Sequence, residues 1–552
     1  MPMLSAMPRL NATEEPVSWD RIGSVSAMTE LFVPLDRLLV CGGDPRLSVN
    51  PASGANAYGC RPVPCPDTLS FASSTATSIS ERAYDRVSNA RESLMQSAIA
   101  TGIDAAFDAR TEMMRERLKA YLGLCQTQAE IVFSPSGTDS QLQALFLARA
   151  LLGPALTTVI VAADQTGSGT ADTARGHHFS AATANGSRVR KGEPLAGLAR
   201  SVASVALPSL DETGECRPQA ESDLQVLGAV ERSVANGTNV LLQVMDSSKL
   251  GWRLPSDQCL DEISARWPDR VLIVVDACQM RLGRPRLRKY LDRGYMVIVT
   301  GSKFFTGPAF SGALLIPADL AKALGATTEV ASGFREYSSR SDWPMNWTAL
   351  RSGFPIRANF GQWLRWEAAL EEIRAYYSVP GEFRLQALTT FREGVERMIA
   401  SSPSLRLLPP QQRPEDGSVD DEELAQTTIF PFAIKRDDRV LSLGDCKKIY
   451  RALARDARDA DSARWHRGPE IAAKTCLVGQ PVALGGAERQ SIAALRICAS
   501  ARLVTEAWSS NDDTARGNLR RELDCVGAIV AKIVWLVAHI DGLNLTELCH
   551  ET

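Results

Sequence analysis

The sequence predicts an α/β fold: a large domain with a mainly parallel sheet, followed by a smaller C-terminal α+β domain. Short runs rich in Val and Ile, at residues 271–275, 295–300 and 312–316, are bounded by Gly, Pro and Asp. Such runs are typical of strands buried on both faces, as in a parallel sheet. Strand and helix patterns also alternate from about residue 129 to 317, which indicates a sheet covered by helices on both sides.

The chain divides into three parts by its pattern. Residues 1–78 are rich in Pro, Gly, Ser and Asn, which predicts turns and extended chain packed over another domain. We expect the large domain over 79–345 and the small domain over 346–552. The first part of the large domain is helical, because apolar residues recur at spacings of three and four over 80–124. A strand at 129–133 and a helix at 139–152 follow it.

The other predicted elements follow from the same patterns. We predict further strands at 157–163, 204–208, 239–245, 427–434 and 493–498, and further helices at 222–235, 361–377, 382–401, 445–460 and 520–539.

The composition excludes several classes of function. A chain of 552 residues is too long to fold around a single hydrophobic core, so it should form more than one domain. Its content of 45% hydrophobic and 23% charged residues is ordinary for a soluble protein. A net charge of −3 lacks the excess of positive charge that is typical of proteins that bind nucleic acid or an anionic membrane. The longest apolar segment, 525–540, is interrupted by Lys532 and His539 and predicts a packed helix rather than a membrane span.

Cysteine and histidine usage predicts a reduced compartment without a metal site. The twelve cysteines are spread along the chain, and no secretory signal is seen at the start of the sequence, so we expect a cytoplasmic protein. None of the five histidines has zinc-ligand spacing.

Two charged residues mark the candidate site. Asp276 comes at the end of the run 271–275, and Lys303 follows the run 295–300. Ligands of open α/β sheets bind beyond the carboxyl ends of the strands, so these side chains are expected to converge on one ligand. By itself the pattern is weak, because most charges at strand ends are simply solvated.

A third feature is the segment SPSGTDS, which joins the strand 129–133 to the following helix. Free amides and the macrodipole at a helix start favour a phosphate. The alternative is an ordinary helix cap, with Ser136 or Thr138 in that role.

Taken in order, the segments SGT, DSSKLGWRLP, VDACQ and TGSK resemble the pyridoxal-phosphate (PLP) enzymes of fold type I. Within that family they are similar to the branch of class V aminotransferases and cysteine desulfurases. The resemblance runs from about residue 80 to 503. It implies a PLP cofactor, an amino acid or amine substrate, and a homodimer.

The resemblance implies roles for two central residues. Asp276 would face the ring nitrogen of the cofactor, and Lys303 would form the Schiff base with its aldehyde. The alternatives are a turn or cap acid for Asp276 and a surface lysine for Lys303.

The resemblance also implies cofactor and substrate contacts around them. Gln279 would contact the phenolic oxygen of the ring, unless it is a plain helix-face amide. Arg496, in the segment ALRICAS, would bind a substrate carboxylate, unless it forms a structural salt bridge. The remaining implied contacts come from small polar residues near the phosphate or the ring: Gly137, Thr138, Ser247 or Ser248, and Thr300 or Ser302.

The sequence departs from the family at three places. Ser302 stands where many class V members have a histidine, and QTG at 165–167 stands where a ring-stacking residue is expected. His177 or His178 would supply the ring face, or the pair forms a surface turn. In LRSGFP, Phe354 replaces a threonine that reaches the partner subunit's phosphate, so that only a backbone contact would remain in the homodimer.

The predicted reaction is a transamination, because the lysine, the ring acid and a carboxylate-binding arginine all have candidates. A PLP-dependent lyase or decarboxylase would use the same residues. A cysteine desulfurase needs a nucleophilic cysteine on a later loop, and the loop 325–355 has none. The non-enzymatic alternative is a cofactor-free binding or regulatory protein of the same fold.

Overall fold

The structure of the chain is a computed structural model that describes residues 27–72, 76–325, 329–409, 422–457, 470–485 and 492–543. Its strands form two sheets. In chain order they are β1 (Leu69–Phe71), β2 (Glu130–Ser134), β3 (Leu156–Val161), β4 (Val202–Leu207), β5 (Asn239–Met245), β6 (Val271–Asp276), β7 (Met296–Thr300), β8 (Gly312–Ile316), β9 (Leu405–Leu407), β10 (Ile429–Arg436), β11 (Arg439–Val440), β12 (Cys476–Ala483) and β13 (Ala493–Cys498).

Helices cover both sheets, and many begin at the polar residue that caps them. Ser80, Ser136, Ser256 and Ser442 each accept a backbone amide three residues later. The helices are α1 (Ala27–Glu30), α2 (Leu35–Leu39), α3 (Glu81–Thr101), α4 (Ile103–Tyr121), α5 (Gly137–Leu152), α6 (Thr170–Thr173), α7 (Gln219–Ala235), α8 (Asp257–Arg266), α9 (Arg284–Asp292), α10 (Ala318–Leu324), α11 (Thr348–Ser352), α12 (Phe360–Ser378), α13 (Gly381–Ala400), α14 (Glu422–Ala425), α15 (Leu443–Leu453), α16 (Glu470–Ala473), α17 (Ala501–Ala507) and α18 (Asp512–Ala538). Among these described helices none is long and apolar enough to cross a bilayer.

The larger sheet has seven strands in the order β2-β8-β7-β6-β5-β3-β4. Strands β4, β3, β5, β6 and β7 pair in parallel, whereas β8 is antiparallel to both β7 and β2. The predicted mainly parallel α/β sheet is therefore confirmed. The run 312–316, expected as a parallel strand, is its antiparallel exception, since the short connection 301–311 holds no crossover helix.

Alternate residues of the larger sheet face two different cores. In β2, Ile131 and Phe133 belong to the core under α3, α4 and α12, whereas Val132 faces the core around α5. Successive side chains of a strand point to opposite faces, so a strand covered on both sides must be apolar at every position. This is why the run-like patterns of Val and Ile predicted the sheet correctly.

The smaller sheet has the order β1-β12-β13-β10-β11, with β9 paired to β10. Strand β1 lies in the segment predicted as extended chain, and it pairs in parallel with β12 from the C-terminal part. That segment also contains α1 and α2, and its first 26 residues lie outside the described part of the chain. The boundaries of the three domains stay predictions.

The segment LRSGFP is packed inside its own chain. Phe354 is buried, and its ring stacks on Trp343 with 5.0 Å between the ring centroids. Arg351 forms an ion pair with Asp108 at 2.8 Å. Packing of Phe354 in this aromatic core explains why a bulky residue is accepted at that position.

Candidate functional site

The carboxyl ends of β5, β6 and β7 lie side by side, because these strands pair in parallel and in register. Met245, the last residue of β5, is opposite Asp276, the last residue of β6, which is opposite Ile298 in β7. A cleft opens at these strand ends, and Gln141, Thr166, Gln243 and Asp276 supply its polar lining.

Asp276 keeps part of its hydrogen-bonding capacity for a ligand. Its Oδ1 accepts the backbone amide of Cys278 at 3.1 Å, and its Oδ2 accepts the Gln141 amide at 3.4 Å. The side chain is partly exposed in the cleft. Two carboxylate oxygens offer about four acceptor positions, so free positions remain.

Lys303 follows β7 at the same edge of the sheet. It is partly exposed, whereas the neighbouring Ser302 and Phe304 are buried. Among the described residues its ammonium has no hydrogen bond or ion pair. Burial and then Asp276 raise the pKa of the Cys278 thiol, and Lys303 acts in the opposite direction, so both charges lie near this thiol.

The start of α5 lies against the same strand ends. A Cβ added at Gly137 would be 2.5 Å from Cys278 Sγ and 3.4 Å from Thr300 Cγ2. Thr138, the next residue, is buried. Ser136 is the helix cap, because its Oγ accepts the Asp139 amide at 3.3 Å. The helix cap predicted as the alternative thus exists at Ser136. Its hydrogen bond uses the amide of Asp139 and not the amides of Gly137 and Thr138.

An arginine from the N-terminal segment covers this helix start. Arg46 donates to Ser136 Oγ at 3.3 Å, lies over the Phe310 ring at 4.4 Å, and pairs with Asp44. Burial, with Asp44 adding to it, raises the pKa of Asp139 to about 7. Arg46 could not be predicted from the sequence, because only tertiary packing brings residue 46 to residue 136.

The small polar residues predicted around the cofactor differ in what they do. Thr300 Oγ1 donates to the Cys278 carbonyl at 2.7 Å. Ser248 Oγ accepts the amides of Leu250 and Trp252 at 3.1 Å, whereas Ser247 is buried at the strand end without such a cap. The hydroxyls of Thr300 and Ser248 therefore serve the local fold.

Side-chain atoms of three buried glutamines near these strand ends, Gln165, Gln243 and Gln279, lack partners among the described residues. Gln279 Oε1, two residues after Ala277, has no hydrogen bond. Neither amide atom of Gln243, which lines the cleft, has one. A buried polar atom without a partner costs about 1–3 kcal/mol, so a polar ligand that bonded to these atoms would be stabilised.

Arg496 lies on β13, and the partners of its guanidinium in the described part of the chain are backbone carbonyls. Nε and Nη2 donate to the Gln480 carbonyl at 3.3 and 3.2 Å, and Nη1 donates to the Lys249 carbonyl at 3.2 Å. Burial lowers its pKa. No carboxylate in the described ranges forms an ion pair with it, which argues against the salt-bridge alternative.

Lys249 is a further cation at the cleft that the sequence analysis did not single out. Its Nζ donates to the carbonyl of Thr166, a cleft residue, at 2.6 Å. Burial, followed by the charges of Arg496 and Lys303, lowers the pKa of Lys249 to about 8. The signal was present in DSSKLGWRLP, where a lysine directly follows a strand end.

His177 and His178 follow α6, and neither is among the residues that line the cleft. His178 Nδ1 lies 2.8 Å from the Tyr337 hydroxyl, and both histidines are partly buried. Gln165, at the position where a ring-stacking residue was expected, is buried. Within the described residues no group of His, Cys, Asp and Glu is arranged to hold a metal ion.

No protein-family model matches the sequence, and no curated protein sequence matches it. Solved structures are similar to it in fold. A ureidoglycine–glyoxylate aminotransferase from Bacillus subtilis is 11% identical over 88% of this chain and 97% of its own, with a TM-score of 0.48. A cysteine desulfurase from Escherichia coli is 16% identical over 85% and 95%, with a TM-score of 0.46.

A tryptophan decarboxylase from Catharanthus roseus, solved with L-tryptophan, is 17% identical over 86% of this chain and 85% of its own, with a TM-score of 0.45. These enzymes are of the kinds that the sequence motifs resemble. At these identities and TM-scores the similarity assigns no activity, cofactor or substrate to this chain.

Proposed function

We propose that the chain is a PLP-dependent enzyme that acts on an amino acid or a related amine, and that its reaction is a transamination. One observation carries the proposal. Asp276 and Lys303 lie at the ends of two adjacent parallel strands beside one cleft, and Lys303 has no partner among the described residues.

The residues around the cleft fit this cofactor. The glycine at 137 brings the first amides of α5 against β6 and β7, and a side chain there would collide with Cys278. Gln279, three residues after Asp276, has its Oε1 buried without a partner among the described residues. Arg46 also donates to Ser136 at the helix start, where a phosphate group is favoured, although its charge is paired with Asp44.

When bound, PLP supplies an electron-withdrawing ring that stabilises negative charge on the substrate carbon. The Asp276 carboxylate would hold a proton on the ring nitrogen, because an opposite charge in contact raises a base's pKa by roughly 1–3 units. Lys303 would hold the cofactor through its amine and move a proton to and from the substrate carbon. Arg496 would orient a substrate carboxylate through its remaining N–H groups.

The cofactor is tested by absorbance. We expect purified protein supplied with PLP to show a yellow absorbance band that survives desalting and that Lys303→Ala abolishes. Lys322→Ala, at an exposed lysine of α10, is the control and should keep the band. A colourless protein would favour the cofactor-free binding alternative and refute the enzyme proposal.

The reaction is tested by a half-reaction with a panel of amino acids and no keto-acid acceptor. Transamination converts the bound cofactor stoichiometrically to its amine form. A lyase or decarboxylase instead retains the aldehyde form and releases ammonia or carbon dioxide over many turnovers, and that outcome would replace transamination. The homodimer and the cytoplasmic location stay predictions from the sequence.

A further inference from the structure

Two cations, Lys249 and Arg496, are neighbours, and Lys249 reaches the cleft through its hydrogen bond to Thr166. The Arg496 guanidinium donates to the Lys249 backbone carbonyl at 3.2 Å, so a hydrogen bond from a side chain to the backbone joins the two residues. They come from different sheets, since Lys249 follows β5 and Arg496 lies on β13. The fold thus brings two positive groups from distant parts of the sequence to one place.

Arg496 has unused capacity to bind an anion. A guanidinium has five N–H donors, and three of its hydrogen bonds here go to the carbonyls of Gln480 and Lys249. Its side chain is 3% exposed, and no described carboxylate pairs with it. A charge that is buried without a counter-ion is costly, so the site favours an anionic ligand.

Lys249 also has unused capacity. An ammonium group has three donors, and one described hydrogen bond, to the Thr166 carbonyl, uses one of them. Asp164 is the carboxylate whose charge acts most strongly on Lys249. Its oxygens accept hydrogen bonds from Ser209 and from the amide of Leu210. No described carboxylate forms an ion pair with Lys249.

The positive charges around the cleft outnumber the carboxylates by one. Lys249, Lys303 and Arg496 are positive, and the carboxylates whose charges act on Lys249 are Asp164 and Asp276, of which Asp276 lines the cleft. In the proposed function, Asp276 and Lys303 are used by the cofactor. Lys249 and Arg496 then remain for the substrate, and neither forms an ion pair with a described carboxylate.

We propose that the substrate is an amino acid whose side chain carries a second anionic group, with Arg496 binding one carboxylate and Lys249 the other anion. This inference rests on the proposed function, because it assumes that the substrate enters this cleft. Lys249 then determines specificity for acidic side chains and is separate from the residues that hold the cofactor.

The experiment uses unreactive acids, so that binding is measured without turnover. The PLP-loaded protein is titrated calorimetrically with malonate, succinate and glutarate, and with butyrate as the monocarboxylate. We expect at least one dicarboxylate to bind about 10–100-fold more tightly than butyrate, as a charge-assisted hydrogen bond would give. Lys249→Met should remove this advantage and leave butyrate binding unchanged.

Two further variants make the result specific. Lys249→Arg keeps the charge and should retain most of the preference, and Lys322→Met removes an exposed lysine of α10 and should have no effect. Equal affinity for mono- and dicarboxylates in the wild type, or an unchanged preference in a folded Lys249→Met, overturns the inference. The failures of the two proposals can be told apart. The absorbance band tests whether PLP binds, and the same titration on protein without PLP tests whether the two cations bind a dicarboxylate.

Discussion

The fit of α5 against the strand ends depends on the glycine at 137, and Gly137→Ala tests it. The new Cβ would lie 2.5 Å from Cys278 Sγ, well inside van der Waals contact. Cys278 is buried and Gly137 is partly buried, so the helix start or the thiol has to move. Overpacking of this kind costs about 1–3 kcal/mol in the free energy of unfolding.

A second substitution at the contact atom sharpens the test. Cys278→Ala removes Sγ, after which the nearest atoms to the new Cβ are Thr300 Cγ2 at 3.4 Å and Cys278 Cβ at 3.9 Å. Cys278→Ala alone should cost about 1 kcal/mol for the lost buried atom. The double variant should therefore be more stable than the sum of the single effects predicts, by about 1–2 kcal/mol.

The assay is chemical denaturation of all four proteins, with the change in unfolding free energy compared in a double-mutant cycle. Gly517→Ala is the control, because a Cβ at that position of α18 meets no atom within 4 Å and should be neutral or slightly stabilising. If Gly137→Ala is as stable as the wild type, or if the two costs simply add, the reasoning about this contact is refuted.

Three other substitutions test separate parts of the molecule. Gly479→Ala places a Cβ 2.9 Å from Arg496 Nε, and it should weaken carboxylate binding about tenfold in calorimetric titrations while cofactor uptake stays normal. Asp276→Ala should lower the affinity for PLP and abolish the half-reaction, as followed by absorbance, whereas normal rates would exclude its role at the ring nitrogen. Asp257 is held by Arg286 and Lys289, and although burial acts the other way, these partners lower its pKa to about 2. The ion pairs therefore stabilise the fold above about pH 4, the pKa of an unfolded aspartate, and this contribution of about 1–2 kcal/mol after solvent screening is lost as pH falls towards 2. Asp257→Asn should show the same loss at pH 7 and a flatter dependence of stability on acid pH, and an unchanged acid profile would contradict the assignment.

The local elements were largely predictable because their patterns are local. The strands at 239–245, 312–316 and 493–498 have the predicted bounds, and the helix at 361–377 differs by one residue at each end. A strand buried on both faces has to be apolar throughout, and an amphipathic helix has to repeat every three to four residues. Neither pattern reports the direction of a neighbouring strand, so the antiparallel β8 was not predicted.

The proposed site divides in the same way. Asp276 and Lys303 were found from the sequence because parallel strands bring their carboxyl ends to one edge, whatever the details of packing. The start of α5 was found for a similar reason, as a polar turn directly after a strand. These three features directly follow strands, and the residue pattern of a strand can be recognised in a single sequence.

The amino-acid sequence by itself thus determined the α/β class, the mainly parallel larger sheet and the strand ends that carry an acid and a lysine. Tertiary structure alone decided that Arg46 covers the start of α5, that β1 joins the C-terminal sheet, and that Lys249 and Arg496 are neighbours. The physical reason is sequence separation. A periodicity records which face of an element is buried, but the contact between residues 249 and 496 depends on how two sheets pack.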